Sequence, residues 1–131
     1  MNRSILLGFA LLIVSALVLA GCAAQSGALA PDISSSDAYQ LYQKGDTFFL
    51  DVREQDEWDA AHIPNTVLIP LGQLQSRLAE VPKDKAIVVV CRSGNRSKSG
   101  RDILLGAGYT NVTSMTGGIK DWTAQGYPVG Q

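Results

Sequence analysis

The chain has 131 residues, which is enough for one domain with its own core but not for two. Its 11 basic and 12 acidic side chains give a formal net charge of −1, and no basic run is present. Nothing in this balance indicates electrostatic attraction to nucleic acid or to anionic lipid. We therefore expect no nucleic-acid partner.

The first segment of the chain has the features of a targeting signal. Arg3 precedes an apolar run from Ile5 to Leu19, and small residues follow it up to Cys22. A positive end, a short apolar core and small residues at a cleavage site are typical of a signal peptide, which we place at residues 1–21. The run is shorter than the roughly 20 apolar residues that a transmembrane anchor needs.

Residues 19–22 read Leu-Ala-Gly-Cys, a pattern that resembles the lipobox of bacterial lipoproteins. The resemblance implies that Cys22 receives a diacylglyceryl group and becomes the N-terminus after cleavage. We therefore expect an exported chain, lipid-anchored to a bacterial membrane in the cell envelope, with its domain outside the cytoplasm. Simple secretion and an uncleaved anchor are the alternatives. Residues 22–31 form the lipidated cysteine and a flexible tether, and residues 32–131 form the domain.

Removal of Arg3 with the signal peptide leaves 10 basic and 12 acidic side chains. Because the remaining charge is negative, membrane attachment would depend on the lipid.

The cysteine count points to one reactive thiol. With Cys22 lipidated, Cys91 is the one remaining thiol, and an internal disulfide is excluded. A single free thiol outside the cytoplasm indicates a chemical role, and the alternative is a buried, inert cysteine.

Helical and strand patterns alternate along the domain. A central strand is expected at residues 86–90, because Ala-Ile-Val-Val-Val is short and apolar throughout. Strands that alternate with helices predict a parallel α/β sheet covered on both faces, with its site at the carboxyl ends of the strands. The other expected elements are helices near 38–42, 54–61, 71–81, 97–105 and 118–122 and strands at 47–50, 67–69 and 110–114.

The central strand stops at Cys91, and a helix begins a few residues later. Backbone N–H groups at a helix start lack partners inside the helix, so they bind anions, and the helix dipole adds to this. Arg92 and Arg96 bring two charges to the same segment. These surroundings favour a thiolate, and Cys91 is therefore predicted to be a nucleophile. We call residues 91–97 the cysteine loop.

Cys91, Gly94 and Arg96 follow the spacing Cys-x-x-Gly-x-Arg, and on these residues the chain resembles a single-domain rhodanese, a sulfurtransferase. Further stretches resemble the family's signatures: residues 50–54, 57–58, 62–64, 69–71, 117–122 and 126–129. Asn65 stands where the family usually has Gly. The resemblance implies a five-stranded parallel sheet flanked by helices. It also implies transfer of a sulfane sulfur through a Cys91 persulfide, from a donor such as thiosulfate to a thiol or cyanide.

Most residues of the cysteine loop have an individual expected role. The N–H groups of the loop would stabilise negative charge on the sulfur, and Gly94 lets the backbone curl. Arg92 and Arg96 would steer the donor anion, or Arg96 would brace the loop against a carboxylate. Ser93 and Ser97 would donate to the persulfide, or Ser97 would instead cap the helix. The substrate-binding set is Arg92, Ser93, Gly94, Asn95, Arg96 and Ser97, with Cys91 as the catalytic residue.

Five other residues have structural explanations. His62, the one histidine, is expected to form structural hydrogen bonds rather than act as a base. Asp51 and Arg53 are expected to form a buried pair that holds strand and loop together, with contact to the site as the alternative. Two tryptophans are expected in the core, Trp58 and Trp122. We expect no cofactor, and no His, Cys and carboxylate spacing indicates a metal.

Two other functions remain open. Phosphatases and arsenate reductases of this fold use Cys-x5-Arg, whereas position 97 here is serine and the arginine comes one residue earlier. A non-enzymatic persulfide carrier or interaction module would use the same Cys91 chemistry and pass the sulfur to a protein acceptor. The expected partners are thus a small sulfur-donor anion and a thiol acceptor, with a protein acceptor as an alternative.

Overall fold

The computed structural model describes residues 27–131, so the expected signal peptide and the lipidation at Cys22 lie outside the described residues. Five strands and five α-helices alternate along them, and a short 3-10 helix spans Leu78–Glu80. The strands are β1 (Asp32–Ile33), β2 (Phe48–Asp51), β3 (Val67–Leu68), β4 (Ile87–Val90) and β5 (Val112–Met115). The helices are α1 (Ser35–Lys44), α2 (Gln55–Ala60), α3 (Leu71–Leu74), α4 (Asn95–Gly106) and α5 (Gly118–Ala124).

The five strands form one sheet in the order β1-β5-β4-β2-β3, and every neighbouring pair is parallel. β4 is therefore the central strand. Val89 of β4 lies beside Leu50 on one side and Ser114 on the other. All four β4 residues are buried, as expected for a strand covered on both faces. The predicted fold, a parallel α/β sheet of about five strands flanked by helices, is confirmed.

The two faces of the sheet carry separate hydrophobic clusters. Alternate residues of a strand point to opposite faces, so Ile87 and Val89 join one cluster while Val88 and Val90 join the other. The first cluster includes residues of α3 and α4, and the second includes residues of α1 and α5. Helices on both faces thus bury the sheet and leave the carboxyl ends of its strands for the loops.

Two elements differ from the sequence expectation. β1 was not predicted, because a two-residue strand shows no alternation of apolar and polar residues; it is held at the sheet edge by β5. The single helix expected before Pro82 is split into α3 and the 3-10 helix. The turns between them use bonds to the residue three positions earlier, as between the Arg77 N–H and the Leu74 carbonyl.

Of the two tryptophans predicted to lie in the core, one does and the other does not. Trp122 is fully buried, and its indole N–H donates to the Pro128 carbonyl at 2.8 Å. Trp58 is only half-buried and stacks on the His62 ring at 3.9 Å, so its placement in the core was wrong. The helix that carries Trp58 is α2, which has six residues, none of them buried. Asn65 has a positive φ of 61°, as the turn requires. Within residues 27–131, no helix has the length and apolar character to cross a membrane.

Candidate active site

Cys91 is the residue directly after the central strand, at the carboxyl edge of the sheet. Its sulfur lies 3.1 Å from the Gly94 nitrogen, whose N–H donates to it, and 3.5 Å from the Ser97 hydroxyl oxygen. The residue is 1% exposed. The sulfur is therefore enclosed by the cysteine loop.

Opposing influences act on the ionisation of this thiol. Burial alone would raise the pKa of Cys91. Hydrogen bonds from the Ser97 hydroxyl and from backbone N–H groups of Ser97, Gly94 and Ser93 favour the thiolate and outweigh burial, so the pKa lies below its ordinary value. The thiolate is therefore populated at a lower pH than in a free cysteine.

The shape of the cysteine loop depends on glycine at position 94. Gly94 precedes α4 with φ 106°, a left-handed conformation that side chains rarely adopt. A Cβ there would lie 3.2 Å from the Gly117 nitrogen. This turn aims the Gly94 N–H at the sulfur and starts α4 immediately afterwards. Asn95 is the first residue of α4 and is exposed.

The start of α5 holds the other side of the loop. The Ile119 N–H donates to the Cys91 carbonyl at 2.8 Å, and the Lys120 N–H donates to the Arg92 carbonyl at 3.2 Å. N–H groups in the first turn of a helix have no partner inside it, so the loop satisfies them. Gly118 makes this approach possible, since a Cβ on it would lie 2.4 Å from the Arg92 carbonyl carbon and oxygen.

Arg96 forms an ion pair with Glu57 of α2. Two hydrogen bonds of 2.7 Å join the guanidinium to both carboxylate oxygens. This contact is the main reason that the pKa of Glu57 is lowered to about 2; a hydrogen bond from the Glu54 N–H contributes, and burial opposes it. The same contact also raises the pKa of Arg96. Of the two roles left open for Arg96, the geometry supports bracing the loop.

A buried ion pair anchors α2 in turn. Arg53 and Asp51 lie 2.8 Å apart, and both are buried. The Arg53 guanidinium also donates to the carbonyls of Glu57 and Ala61, at 3.3 and 2.8 Å. The expected buried pair is present, but it connects β2 to α2 rather than directly to the cysteine loop. Its connection to the loop is indirect, because Glu57 accepts from Arg53 through its carbonyl and pairs with Arg96 through its carboxylate.

The Ser97 hydroxyl does not cap α4. The residue before the helix is Gly94, and Ser97 instead donates to the Gly94 carbonyl at 3.0 Å. Its oxygen also lies 2.8 Å from the Ser114 hydroxyl of β5. Ser97 is fully buried beside the sulfur, so the contact with Cys91 is the alternative that the geometry supports.

A cavity of about 460 Å³ borders the loop between α2 and α5. Arg92 and Lys120 line it and are exposed, and neither forms an ion pair with any residue from 27 to 131. Arg53 and Glu57 contribute to the wall, and Ile119 gives it an apolar part. The cavity thus offers two free positive charges beside the loop that holds the sulfur.

The remaining candidates lie apart from the sulfur. The His62 ring nitrogen Nδ1 hydrogen-bonds the Trp58 carbonyl at 3.0 Å, and the His62 backbone pairs with Gly130. This is the structural role expected of it. In the part of the chain that the structure describes, no group of three His, Cys, Asp or Glu side chains has an arrangement suited to a metal ion.

Three site residues were missed by the sequence reasoning: Glu57, Lys120 and Ser114. Glu57 lies in one of the recognised signature stretches, which marked its position but not its partner. Lys120 follows the paired glycines that open α5, at the spacing of a first-turn residue. Ser114 gave no signal, because a serine in a short strand resembles any other polar residue.

The model of the family described as rhodanese-like domain matches residues 34–125 of this chain. The chain is 34% identical over 92 residues to thiosulfate sulfurtransferase GlpE of Coxiella burnetii, covering 70% of this chain and 86% of that one. It is also 34% identical over 96 residues to a candidate sulfur carrier protein of Bacillus subtilis, YrkF. That match covers 72% of this chain but about half, 52%, of the relative.

Solved structures agree with these matches. The crystal structure of a rhodanese-related protein from Thermoplasma volcanium superposes with a TM-score of 0.71 at 33% sequence identity. The superposition covers 77% of this chain and 98% of that protein.

Proposed function

The chain belongs to the family of rhodanese-like domains, and from this premise we propose that it is a sulfurtransferase. It moves a sulfane sulfur from a donor such as thiosulfate to a thiol or to cyanide through a persulfide on Cys91. The observation that carries the proposal is the enclosed Cys91 sulfur, 3.1 Å from the Gly94 nitrogen at the start of α4. The hydrogen bonds to this sulfur lower the pKa of Cys91 and stabilise negative charge on it.

In the first step, the Cys91 thiolate attacks the outer sulfur of thiosulfate. A new sulfur–sulfur bond forms, the sulfur–sulfur bond of thiosulfate breaks, and its electron pair leaves with sulfite. The negative charge remains on the outer sulfur of the persulfide. N–H groups of the cysteine loop stabilise that charge as they stabilise the thiolate; one such donor is worth about 3 kcal/mol in other enzymes.

In the second step, an acceptor nucleophile attacks the outer sulfur of the persulfide. A thiolate or cyanide forms a bond to it, the bond to Cys91 breaks, and its electron pair restores the Cys91 thiolate. The enzyme ends as it began, so the two half-reactions form a ping-pong cycle that needs no cofactor.

The test is a single-turnover measurement with thiosulfate and no acceptor. One equivalent of sulfite per chain should be released rapidly, and cyanide added afterwards should remove one sulfur as thiocyanate. An aryl phosphate offered to the same protein should not be hydrolysed, because Ser97 replaces the arginine of the phosphatase loop. Phosphate release without sulfite release would overturn the proposal.

We expect the free positive charges of the cavity to govern capture of the donor anion. Changing Arg92 or Lys120 to glutamate should raise the KM for thiosulfate about three- to tenfold at low ionic strength, with a smaller effect as salt is added. The measurement is steady-state kinetics at several salt concentrations.

Lys85→Glu is the matched control, since it makes the same charge change just before β4, at the opposite end of that strand. It should leave the KM for thiosulfate at the parent value. An equal increase in all three variants would mean that net charge, and not the cavity, attracts the donor.

A persulfide carrier is the second candidate function. The similarity to a candidate sulfur carrier protein favours it. The loaded protein should be offered small thiols and, separately, extracts fractionated by size. Rapid unloading by small thiols supports the enzyme, and a persulfide that persists until a protein fraction is added supports the carrier.

We also propose that the chain is a lipoprotein, anchored to a bacterial membrane through Cys22 with its domain outside the cytoplasm. The support is the signal-peptide pattern and the lipobox resemblance of residues 19–22. Labelled fatty acid should be incorporated into the full chain and into Cys91→Ser but not into Cys22→Ser. Labelling of Cys22→Ser, or none of the parent, would contradict the anchor.

A further inference from the structure

Two buried serines form a hydrogen-bonded pair beneath the cysteine loop. Ser97 lies in the first turn of α4 and Ser114 lies on β5, and both are fully buried. Their hydroxyl oxygens are 2.8 Å apart. The Ser97 oxygen is also 3.5 Å from the Cys91 sulfur. The Ser97 hydroxyl thus connects Ser114 to the Cys91 sulfur, the reacting atom.

The hydrogen bonds of Ser97 can be counted. Its hydroxyl has one proton and two acceptor lone pairs. The Gly94 carbonyl, 3.0 Å away, only accepts, and a Cys91 thiolate also only accepts. These two groups therefore compete for the one Ser97 proton. The Ser114 hydroxyl is the neighbour that can donate to the Ser97 oxygen in either case.

The position of the Ser114 proton follows from its surroundings. Among the described residues, the Ser114 hydroxyl hydrogen-bonds to no atom other than the Ser97 oxygen. A buried hydroxyl that does not donate is costly, so Ser114 directs its proton to Ser97. Ser97 then has to donate its own proton elsewhere, to the Gly94 carbonyl or to the sulfur.

We propose that Ser114 is a positioning residue, which acts through Ser97 by holding that hydroxyl as a hydrogen-bond donor toward the Cys91 sulfur. When Cys91 is a thiol, its S–H donates to Ser97 and Ser97 donates to Gly94. When Cys91 ionises, the Ser97 proton turns to the sulfur while Ser114 continues to donate to Ser97. Hydrogen bonds in such a chain strengthen one another, so the chain stabilises the thiolate more than the thiol.

The inference rests on the proposed function only in taking Cys91 as the reacting group. Charged side chains lie on the loop and on the elements around it: Arg92 and Arg96 of the loop, Glu57 of α2, Lys120 of α5 and Arg101 of α4. Of these, Arg96 interacts electrostatically with Cys91. All of them are retained in the variants below, so a change in the titration of Cys91 is attributed to the hydroxyl.

The test follows the rate at which iodoacetamide modifies Cys91 as a function of pH, read by mass spectrometry of the peptide that contains it. In Ser114→Ala the midpoint of this profile should move upward by about 0.5 to 1 pH unit, which corresponds to the loss of one ordinary hydrogen bond. Below the midpoint, modification should be about three- to tenfold slower than in the parent. Ser114→Thr keeps a hydroxyl and should restore the parent profile.

Thr113→Val is the matched control. Thr113 precedes Ser114 on β5, is fully buried, and is the one residue in the described part of the chain whose buried side-chain oxygen has no hydrogen-bond partner. Consecutive strand residues face opposite sides of the sheet, so its hydroxyl is turned away from Ser97. Thr113→Val removes a buried hydroxyl from the same strand and should leave the midpoint unchanged.

Equal midpoints in Ser114→Ala and the parent would overturn the proposal, as would an equal shift in Thr113→Val. If Ser114→Ala does not fold, Ser114→Val provides the comparison, because valine has nearly the shape of the threonine in Ser114→Thr but no hydroxyl. Because alkylation reports the ionisation of the sulfur, these outcomes are independent of whether thiosulfate is the donor. Failure of sulfite release would count against the proposed function alone.

Discussion

Replacing Cys91 with serine is expected to abolish sulfur loading. After incubation with thiosulfate, the parent should gain one sulfur atom and Cys91→Ser should gain none. A serine hydroxyl stays protonated at neutral pH and has no sulfur to form a persulfide, so the N–H groups of the loop have no anion to stabilise. Transfer to cyanide should fall by at least about 10⁴-fold, the order seen when other enzymes lose their nucleophile. Intact-protein mass spectrometry and a thiocyanate assay measure the two effects.

Cys22→Ser is the control for this result, because it removes the chain's other cysteine. It should load one sulfur as the parent does, in protein prepared without reducing agent. Sulfur loading that persists in Cys91→Ser and disappears in Cys22→Ser would assign the persulfide to Cys22 and contradict the proposal. Loading that persists in both variants would contradict the assignment of the persulfide to Cys91.

The position of the reactive cysteine could be predicted from local sequence. A run of β-branched residues that stops at Cys91, followed by glycine and a helical pattern, places the thiol between a central strand and a helix. Both features depend on neighbours in sequence. The structure has β4 in the middle of the sheet and Gly94 at φ 106°, in agreement with that expectation.

The contacts that support the loop could not be predicted in this way, since they join residues far apart in sequence. Glu57 lies 39 residues from Arg96, and Ser114 lies 17 residues from Ser97. The sequence showed a positive charge at position 96 but not the carboxylate that pairs with it. Steering the donor anion and bracing the cysteine loop therefore remained equal alternatives for Arg96. Short elements were also missed, because β1 owes its existence to pairing with β5 rather than to its own two residues.

Gly118→Ala is expected to impair both stability and sulfur transfer. Gly118 has a positive φ of 59°, where alanine costs about 1–2 kcal/mol. The new Cβ would also lie 2.4 Å from the Arg92 carbonyl atoms and 2.5 Å from the Cys91 oxygen. These are backbone atoms, so the loop itself has to move, which adds about 1–3 kcal/mol.

The displaced carbonyls would then lose the N–H donors of Ile119 and Lys120, and the loop would no longer hold its N–H groups around the sulfur. Sulfur loading per folded molecule should therefore fall together with the melting temperature. Gly126→Ala separates the two causes, because Gly126 has a similar φ of 76° but nothing within 4 Å of the new Cβ. It should lose about 1 kcal/mol of stability and load sulfur as the parent does. Normal loading by folded Gly118→Ala would show that the start of α5 does not shape the site.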